Sequence, residues 1–403
     1  MTDPFAMFAA ARPSAVLLEG PEGVLTYGAA LSAIDRRSPP GDGPITIAPR
    51  RDFESVLSLL AAIRSGRPVA VVDPDDPRPP PTIGGALESE IVVYTSGAAG
   101  GRKGVRLTAA NWQASTRATN QHIDLTESDR WLLVLPLHHV GGLSVLYRCI
   151  GAGASIILHP SFDPARVASD LAGRATIASL VPVMLERVLD SHAGPYPSTR
   201  WLLVGGGPAA PQLFEKARAA GLAAVPSYGM TETAAQIACG RPGDDRLFPL
   251  SGVELRIALE GAIEVRGEMV AAGYLGGPEL PPGGFFTTGD RGTLEEDGEL
   301  RVLGRLDRVI VSGGESVDPE EVEAVLSTIP DIGEVAVIGL PDRSWGAVVG
   351  MAFTGPTGVS EVEEIARDLL PAGHRPRRFL RVDRLPRNEM GKVDLVALRS
   401  MFA

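Results

Sequence analysis

Between residues 90 and 240 the sequence alternates short apolar runs with helical patterns, and this alternation constrains the fold more than any other feature. Four of the apolar runs have the length of buried strands, at 131–135, 154–158, 177–181 and 201–204. Helical stretches at 164–172 and 211–220 lie between them. Strands that alternate with helices are typical of βαβ units, in which the strands are parallel. The sequence therefore predicts an α/β fold with a mostly parallel sheet.

A second structural unit is predicted after residue 308, beyond a region of short strands and glycine turns at 251–312. A strand at 309–311 leads towards Asp318, which is a good N-cap. Pro319 suits the first helical position, and Glu321 stands three residues after the cap. A strand at 335–338 and a helix at 362–370 follow, which predicts a small C-terminal unit.

The charge and cysteine content exclude several classes of protein. A net charge of −11, from 49 acidic and 38 basic residues, argues against a nucleic-acid or anionic-membrane partner. Cys149 and Cys239 are too few for a disulfide framework and fit a reducing cytosol or simple burial. No apolar run reaches the roughly 20 residues that span a bilayer, and the first residues do not resemble a signal peptide. We expect a cytoplasmic protein.

Residues 94–105 form a glycine-rich segment that follows the apolar run 91–93. Its glycines allow backbone N–H groups to approach an anion, and its hydroxyls and Lys103 supply further donors. The order of residues differs from the Walker A loop, since Lys103 is followed by Gly104 instead of Ser or Thr. The segment predicts a polyphosphate site; the alternative is a glycine-rich turn with a solvated lysine.

Other motifs offer oxygen ligands and cations at wide spacing. In the segment 228–233, Thr231 can contact a phosphate and Glu232 its magnesium ion, or the two can cap a helix. Asp290, in a tight turn at 287–292, can accept hydrogen bonds from ribose hydroxyls or serve as a turn residue. Arg305 can meet a ribose or phosphate, or form a surface ion pair. Lys392, in a Gly-Lys turn, is either solvated or neutralises charge during phosphoryl transfer.

Together and in this order, these motifs resemble the adenylate-forming superfamily of acyl-CoA synthetases, peptide adenylation domains and luciferases. The resemblance covers roughly residues 90–400. It implies a large N-terminal domain (1–306) of mixed and parallel sheets with flanking helices and a β-barrel-like subdomain. It further implies a small mobile α+β domain (307–403) that turns about Asp307. ATP, Mg²⁺ and coenzyme A are the implied cofactors.

The same resemblance implies roles for the matching residues. The nucleotide and its metal would be held by Thr95, Ser96, Gly97, Lys103, Tyr228, Thr231, Glu232, Asp290 and Arg305. Glu232 would be the magnesium ligand, and Thr231 would contact the α-phosphate. Lys392 would bridge the substrate carboxylate and the α-phosphate, and Gly313 and Gly314 would lie beside the pantetheine chain. The pattern departs from the family at Ala98 and Ala99, where two threonines are usual, and at Arg102, where proline is usual. The region before the phosphate segment is also short, so we expect a trimmed first subdomain.

The stretch 135–148 is most similar to the o-succinylbenzoate–CoA ligases of menaquinone biosynthesis, as are the glycine run 205–207 and Gln236. His139 would then gate the mouth of the acyl site. Arg148 offers a planar fork for a second carboxylate, and the alternative is a structural ion pair. Gly141, Gly142, Gly205, Gly206 and Gly207 would open space for a flat ring, or allow close strand–helix packing.

The resulting hypothesis is an ATP-dependent carboxylic acid–CoA ligase that forms an acyl-adenylate and then a thioester. Its expected partners are a small carboxylic acid, ATP and CoA, with no nucleic acid and no membrane. The sequence leaves open whether the protein forms a homodimer. The alternatives are a ligase for another aryl or acyl acid, an enzyme that loads a carrier protein, and a nucleotide-binding pseudoenzyme.

Overall fold

The fold is described by a computed structural model that covers residues 4–39, 41–76, 78, 90–96, 102–280, 282–387 and 391–402. The chain divides into two compact units. The larger comprises Met1–Leu255, Val265–Phe286 and Glu295–Leu300, and the smaller comprises Arg256–Glu264, Thr287–Leu294 and Arg301–Ala403. The prediction of an α/β fold is confirmed.

The helices in the described ranges are α1 (Pro4–Ala11), α2 (Tyr27–Asp35), α3 (Phe53–Arg64), α4 (Ala109–Ile123), α5 (Val140–Ala152), α6 (Pro164–Gly173), α7 (Pro182–Ser191), α8 (Pro211–Ala219), α9 (Pro319–Leu326), α10 (Val359–Leu369) and α11 (Leu395–Ser400). The helices predicted at 164–172, 211–220 and 362–370 are confirmed as α6, α8 and α10.

The strands in the described ranges are β1 (Val16–Gly20), β2 (Gly23–Thr26), β3 (Ile45–Ile47), β4 (Val69–Val71), β5 (Ile91–Ser96), β6 (Arg102–Leu107), β7 (Arg130–Leu133), β8 (Ser155–Leu158), β9 (Ile177–Leu180), β10 (Trp201–Gly205), β11 (Ala224–Met230), β12 (Ala235–Arg241), β13 (Asp244–Pro249), β14 (Glu254–Ile257), β15 (Ala262–Arg266), β16 (Gly273–Tyr274), β17 (Phe286–Leu294), β18 (Leu300–Arg305), β19 (Ile310–Ser312), β20 (Glu315–Val317), β21 (Val335–Asp342), β22 (Gly346–Phe353) and β23 (Arg378–Arg381). The four strands predicted between 131 and 204 are confirmed as β7 to β10.

The larger unit is built on a sheet in which β11, β10, β9, β7 and β8 are neighbours in that order and run parallel. Antiparallel β12 and β13 extend it beyond β11. The carboxyl ends of parallel strands meet at one edge of a sheet, which is where ligands bind in open α/β sheets. His139 follows β7, Gly206 follows β10, and Thr231 follows β11, so three of the predicted site segments leave the sheet at this edge.

Both faces of this sheet are buried. One face packs into a core cluster with Trp131, Leu133, Ile156 and Leu158, and the opposite face packs into a second cluster with Leu132, Val134 and Ile157. Successive side chains of a strand point to opposite faces, so a strand with both faces covered must be apolar throughout. This explains why the runs at 131–135 and 154–158 lack the alternation of a half-exposed strand.

A second sheet of the larger unit has the order β16-β6-β5-β4-β3. Its β5 and β6 form an antiparallel hairpin in which Tyr94 pairs with Gly104 and Thr95 pairs with Lys103. The sequence treats 94–105 as one loop after a short strand at 91–93. The structure corrects this view, because pairing with β6 extends β5 to Ser96 and draws Lys103 into a strand.

The smaller unit contains a sheet of order β20-β19-β22-β21, with β23 parallel to β22. Helices α9 and α10 cover one face through Val322, Leu326, Val362 and Ala366, and α11 covers the other through Leu398. Asp318 is the N-cap of α9 as predicted, since its side chain accepts from the backbone N–H of Glu320. Glu321 does not complete a capping box; its carboxylate accepts from Arg291 over 3.1 Å.

Within the part of the chain that the structure describes, no helix is long and apolar enough to cross a membrane.

Asp129 is a buried carboxylate that joins the amino ends of β7 and β9. It is 3% exposed and accepts from Arg200 Nε and Nη2 at 2.8 and 2.6 Å and from Thr176 Oγ1 at 2.8 Å. Burial raises the pKa of Asp129, but the hydrogen bonds from Arg200, Thr126 and Thr176 outweigh it and leave the pKa below its ordinary value.

We expect Asp129→Ala to lower the free energy of unfolding of the larger unit by about 3 kcal/mol, because it removes the buried carboxylate that accepts hydrogen bonds from Arg200 and Thr176. Glu127→Ala is the control, since the Glu127–Arg12 ion pair is exposed at both ends and is worth about 0–1 kcal/mol. The depressed pKa means that the Asp129 contribution is present at neutral pH and is lost as the pH falls below about 4. Thermal melts at pH 7 and pH 3 measure both effects; equal melting points for the two variants at pH 7 would contradict the expectation.

Candidate active site

The phosphate segment is presented by the β5–β6 hairpin. Thr95 is partly buried at the end of β5, and Lys103 is exposed directly across from it. Ser96 pairs through its backbone with Arg102. Gly97, with Ala98 and Ala99, lies outside the described residues.

Arg102, which occupies the usual proline position, makes an ion pair with Asp76. The distance between Arg102 Nη2 and Asp76 Oδ2 is 2.6 Å, and both side chains are largely buried. The side chain of Arg102 is therefore held against the protein, which leaves Lys103 as the cation presented by this end of β6.

The Thr-Glu motif occupies a tight turn between β11 and β12. Tyr228 lies in β11, and a 3₁₀ helix spans Thr231–Thr233. A Cβ on Gly229 would lie 1.8 Å from the carbonyl oxygen of Ala235, so only glycine permits this approach of the two strands. The turn leaves Thr231 and Glu232 partly exposed at the carboxyl edge of the sheet.

Glu232 fits a magnesium ion that is held through ATP. Among the described residues, no group of three or more histidine, cysteine or acidic side chains could form a protein cage for a metal. Magnesium in nucleotide sites is bound by one or two carboxylates, with phosphate oxygens and water completing its octahedron. One partly exposed carboxylate at the end of a parallel strand meets that requirement.

The hairpin and the Thr-Glu turn are joined by the segment 271–275. The N–H of Ala271 donates to the carbonyl of Glu232 over 2.8 Å, and the N–H of Leu275 donates to the carbonyl of Gly104 over 2.7 Å. The hydroxyl of Tyr274 donates to Glu232 Oε1 over 3.1 Å. The structure thus brings together two of the predicted phosphate-binding segments.

His139 lies at the N-cap of α5, with its ring centroid 4.3 Å from that of His138. His138 is buried, whereas His139 is partly exposed. Burial lowers the pKa of His138, with smaller effects from Asp73, Arg51 and Asp75. The two histidines therefore differ in access to solvent, and only His139 is placed to meet a ligand at the helix entrance.

Arg148 lies on α5 and is 4% exposed, with its guanidinium 5.4 Å from the ring centroid of Trp131. Its Nε and Nη2 have no hydrogen-bond partner among the described residues, so the ion pair considered as an alternative is not found there. Burial lowers the pKa of Arg148 to about 10, and the groups that oppose this shift are the thiols of Cys239 and Cys149. The guanidinium therefore stays charged at neutral pH.

Gln236 adds a second buried donor near this guanidinium. Its Oε1 accepts from Thr119 Oγ1 over 3.1 Å, and its Nε2 has no partner among the described residues. Burial raises the pKa of the Cys239 thiol, and Arg148 and Gln236 both oppose this shift, so Cys239 is close to both side chains. Buried donors without acceptors are costly, so this cluster is suited to an anionic group.

The glycines of the predicted acyl site fall into two kinds. A Cβ on Gly142 would lie 2.1 Å from the carbonyl oxygen of Pro136, and one on Gly205 would lie 2.4 Å from that of Ser227. A Cβ on Gly141 would contact only Leu135, at 3.2 Å. Gly206 has a φ of +81°, and a Cβ on Gly207 would have no neighbour within 4 Å. Close backbone packing accounts for Gly142 and Gly205, while Gly207 borders open space.

In the smaller unit, Arg305 pairs with Asp307 and approaches Asp290. Its Nε and Nη2 donate to Asp307 Oδ1 and Oδ2 at 3.0 and 2.9 Å, and its Nη1 lies 3.4 Å from Asp290 Oδ1. A Cβ on Gly289 would lie 2.7 Å from the guanidinium, so the arginine packs flat on this turn. The structure thus brings Asp290, Arg305 and Asp307 together.

Lys392 belongs to the same unit and is exposed. Desolvation by neighbouring atoms lowers the pKa of Lys392, Asp290 opposes this effect, and Arg305 adds to it. The exposed side chain of Lys392 can be hydrated, so it carries its charge at neutral pH. The influence of Asp290 and Arg305 means that Lys392 lies within electrostatic reach of both.

Gly313 and Gly314 form the two-residue turn between β19 and β20. Their φ angles are +60° and +90°, which glycine adopts without strain. The N–H of Gly313 donates to the carbonyl of Trp345 over 3.0 Å, and a Cβ at this position would lie 2.4 Å from the Trp345 ring. Backbone geometry alone accounts for both glycines.

Sequence reasoning missed Trp131 beneath Arg148 and Tyr274 beside Glu232. Neither lies in a motif, and each meets its partner only through the fold.

The composition of the chain marks the two lysines of the predicted site: the chain has three lysines among its 38 basic residues, and two of them are Lys103 and Lys392. Lysine presents a compact point charge to a phosphate, whereas arginine presents a planar fork.

The model of the AMP-binding enzyme family matches residues 72–275, and the model of its C-terminal domain matches 321–392. The 2-succinylbenzoate–CoA ligase of Bacillus licheniformis is 37% identical over 362 residues, which cover 82% of this chain and 75% of that protein. That of Geobacillus kaustophilus is 39% identical over 338 residues, which cover 76% of this chain and 68% of that protein.

Solved structures give the same result. The o-succinylbenzoate CoA synthetase of Bacillus subtilis, in complex with its acyl-adenylate intermediate, superposes with a TM-score of 0.84 at 26% identity, covering 98% of this chain and 97% of that one. The same enzyme in complex with ATP and a magnesium ion gives a TM-score of 0.83 at 26% identity, covering 100% of this chain and 99% of that one.

We expect Gly142→Ala to destabilise the larger unit by about 1–3 kcal/mol, because the added methyl overlaps the Pro136 carbonyl and must displace α5 or the preceding turn. Gly207→Ala is the matched variant, since its methyl meets open space. Urea unfolding followed by circular dichroism measures both. Equal stability of the two variants would show that Gly142 is not required for packing.

Proposed function

This chain belongs to the family of AMP-binding enzymes, and we propose that it is an ATP-dependent carboxylic acid–CoA ligase acting on 2-succinylbenzoate in menaquinone biosynthesis. The choice of acid rests on the environment of Arg148. This charged guanidinium is buried, and two of its nitrogens have no partner among the described residues. A ligand with a second carboxylate would supply the missing anion, and the ligases of B. licheniformis and G. kaustophilus act on such a diacid.

In the first step, a carboxylate oxygen of the acid attacks the α-phosphorus of ATP. The bond to the β-phosphate bridging oxygen breaks, and pyrophosphate leaves with the electron pair. Thr95, Ser96, Gly97 and Lys103 hold the departing phosphates, with Lys103 supplying positive charge. Positioning and charge stabilisation supply most of the catalysis, because no side chain needs to bond covalently to the substrate.

The α-phosphate is held by Thr231 and by Lys392, which also contacts the attacking carboxylate. Glu232 would hold the magnesium ion, which when bound would supply positive charge against the phosphates. The hydroxyl of Thr231 is suited to contact the α-phosphate, and the carboxylate of Glu232 is suited to contact magnesium beside it. The reason is that the same turn at the end of β11 fixes both residues.

The nucleoside of ATP is held by three further side chains. Tyr228 stacks near the adenine, and Asp290 and Arg305 hold the ribose hydroxyls. The contact between Arg305 and Asp290 supports this part of the proposal, because it aligns a carboxylate acceptor beside a fixed donor.

In the second step, the sulfur of CoA attacks the acyl carbon of the adenylate. The bond between the acyl carbon and the AMP oxygen breaks, and the thiol proton is lost to water. Gly313 and Gly314 border the pantetheine chain. Domain 307–403 turns about Asp307 relative to domain 1–306 between the two steps, which exchanges the Lys392 loop for the thiol-facing surface.

The acyl group enters past His139, and its ring lies beside Gly141, Gly142 and Gly205–Gly207. Arg148 receives the ring carboxylate. The proposed compartment is the cytoplasm, which suits two buried cysteines with free thiols. The proposal allows a homodimer.

The deciding experiment is pyrophosphate release with ATP, Mg²⁺ and a panel of acids, with and without CoA. Turnover confined to 2-succinylbenzoate and dependent on CoA is expected. Turnover with another acid would support the ligase mechanism but show that 2-succinylbenzoate is not the substrate. Absence of release with every acid, in a protein that binds ATP, would favour a nucleotide-binding pseudoenzyme.

We expect Lys392→Ala to abolish adenylate formation while thioester formation from supplied acyl-adenylate and CoA stays largely intact, because Lys392 acts on charge that develops only in the first step. Pyrophosphate release and thioester formation are measured separately. Lys216→Ala is the matched control, since Lys216 is exposed and pairs with Asp190 on the surface. Equal loss of both half-reactions in Lys392→Ala would contradict the assignment.

We expect Arg148→Ala and the longer Arg148→Met to reduce kcat/KM for 2-succinylbenzoate by about 10- to 100-fold, the cost of a lost hydrogen bond to a charged group. The monoacid 4-oxo-4-phenylbutanoate, which lacks the ring carboxylate, should be affected far less. The comparison of two substrates within one variant separates recognition from misfolding. An equal loss for both acids would remove Arg148 from substrate recognition.

A further inference from the structure

Tyr274 is a side chain that the structure adds to the predicted phosphate and magnesium segments. It lies on β16 and donates its hydroxyl to Glu232 Oε1 over 3.1 Å, although the two residues are 42 positions apart. Both side chains are partly buried. The contact therefore joins a residue outside every motif to the carboxylate proposed to hold magnesium.

The backbone around Tyr274 is fixed on two sides. β16 pairs with β6, where Tyr274 pairs with Val105 at the end of the phosphate segment. On the other side, Ala271 donates to the carbonyl of Glu232 over 2.8 Å. A tyrosine held by both elements has little freedom to move its hydroxyl, so the direction of the hydrogen bond to Glu232 is set by the sheet.

The hydrogen bond also selects which carboxylate oxygen faces a cation. A hydroxyl that donates to Oε1 restricts the rotamers of Glu232 and leaves Oε2 for a metal. A tyrosine hydroxyl keeps its proton at neutral pH, so that of Tyr274 remains a donor.

We infer that Tyr274 is a positioning residue for magnesium, because its hydroxyl holds Glu232 in the orientation that presents Oε2 to the ion. The inference rests on the proposed role of Glu232. Hydrogen-bond partners that orient a metal ligand commonly change metal affinity when they are lost. Tyr274→Phe removes only the hydroxyl and keeps the ring.

The test is calorimetric binding of α,β-methylene-ATP to the full-length protein, once in EDTA and once in excess Mg²⁺. The ratio of the two dissociation constants is the gain in affinity due to the metal. Tyr274→Phe should reduce this gain about 10-fold, the lower end of the usual effect, and leave the metal-free dissociation constant unchanged. Tyr196→Phe is the control, since it removes a tyrosine hydrogen bond of 2.7 Å to the His192 carbonyl in the same unit and should leave the gain unchanged.

Glu232→Gln separates failure of this inference from failure of the proposed function. If Glu232→Gln abolishes the gain and Tyr274→Phe, folded as judged by its melting temperature, preserves it, the positioning role is wrong. If neither variant changes the gain, the role of Glu232 is wrong and the inference falls with it. The double variant should lose no more than Glu232→Gln alone; an additional loss would show that Tyr274 acts independently of Glu232.

Discussion

Two-sided burial of the parallel sheet is the constraint on which the rest of the larger unit depends. Because β7 to β10 are covered on both faces, their register and direction are fixed by the apolar side chains of two separate core clusters. The segments that leave their carboxyl ends are then fixed at their origin. For this reason the segments that contain His139, Gly206 and Thr231 start at one edge of the sheet. The sheet holds the ends of such loops in place, so the loops can carry functional residues.

Two buried charges of this unit show how differently a core can treat ionic groups. Asp129 is surrounded by donors from Arg200, Thr126 and Thr176, and its pKa falls despite its burial. Arg148 is equally buried, yet it faces an indole ring and two thiols. A carboxylate with a complete set of partners stabilises the fold, whereas a guanidinium without an anion adds a desolvation cost. In the proposed function the second carboxylate of the substrate supplies that anion. Binding of a diacid then offsets the desolvation cost of Arg148, which favours a diacid over a monoacid.

The local patterns of the sequence predicted the elements well. Strands β7 to β10, helices α6 and α8, and the Asp318 cap depend on residues close in sequence, and the structure confirms them. The segment 94–105 was predicted poorly, because its glycines indicate a loop while cross-strand pairing with β6 makes most of it a hairpin. Pairing energy comes from a neighbouring strand, which no local pattern records.

The sequence by itself determined the order of the elements, the family motifs and the identity of the charged groups, since these depend on periodicity and on residue type. Only the tertiary structure decided which of those groups meet. Arg305 reaches Asp290 across 15 positions, Tyr274 reaches Glu232 across 42, and Arg148 finds an aromatic ring in place of a carboxylate. The physical reason is that a side chain's partners and its desolvation depend on what the fold packs around it, and residues distant in the chain supply most of that surrounding.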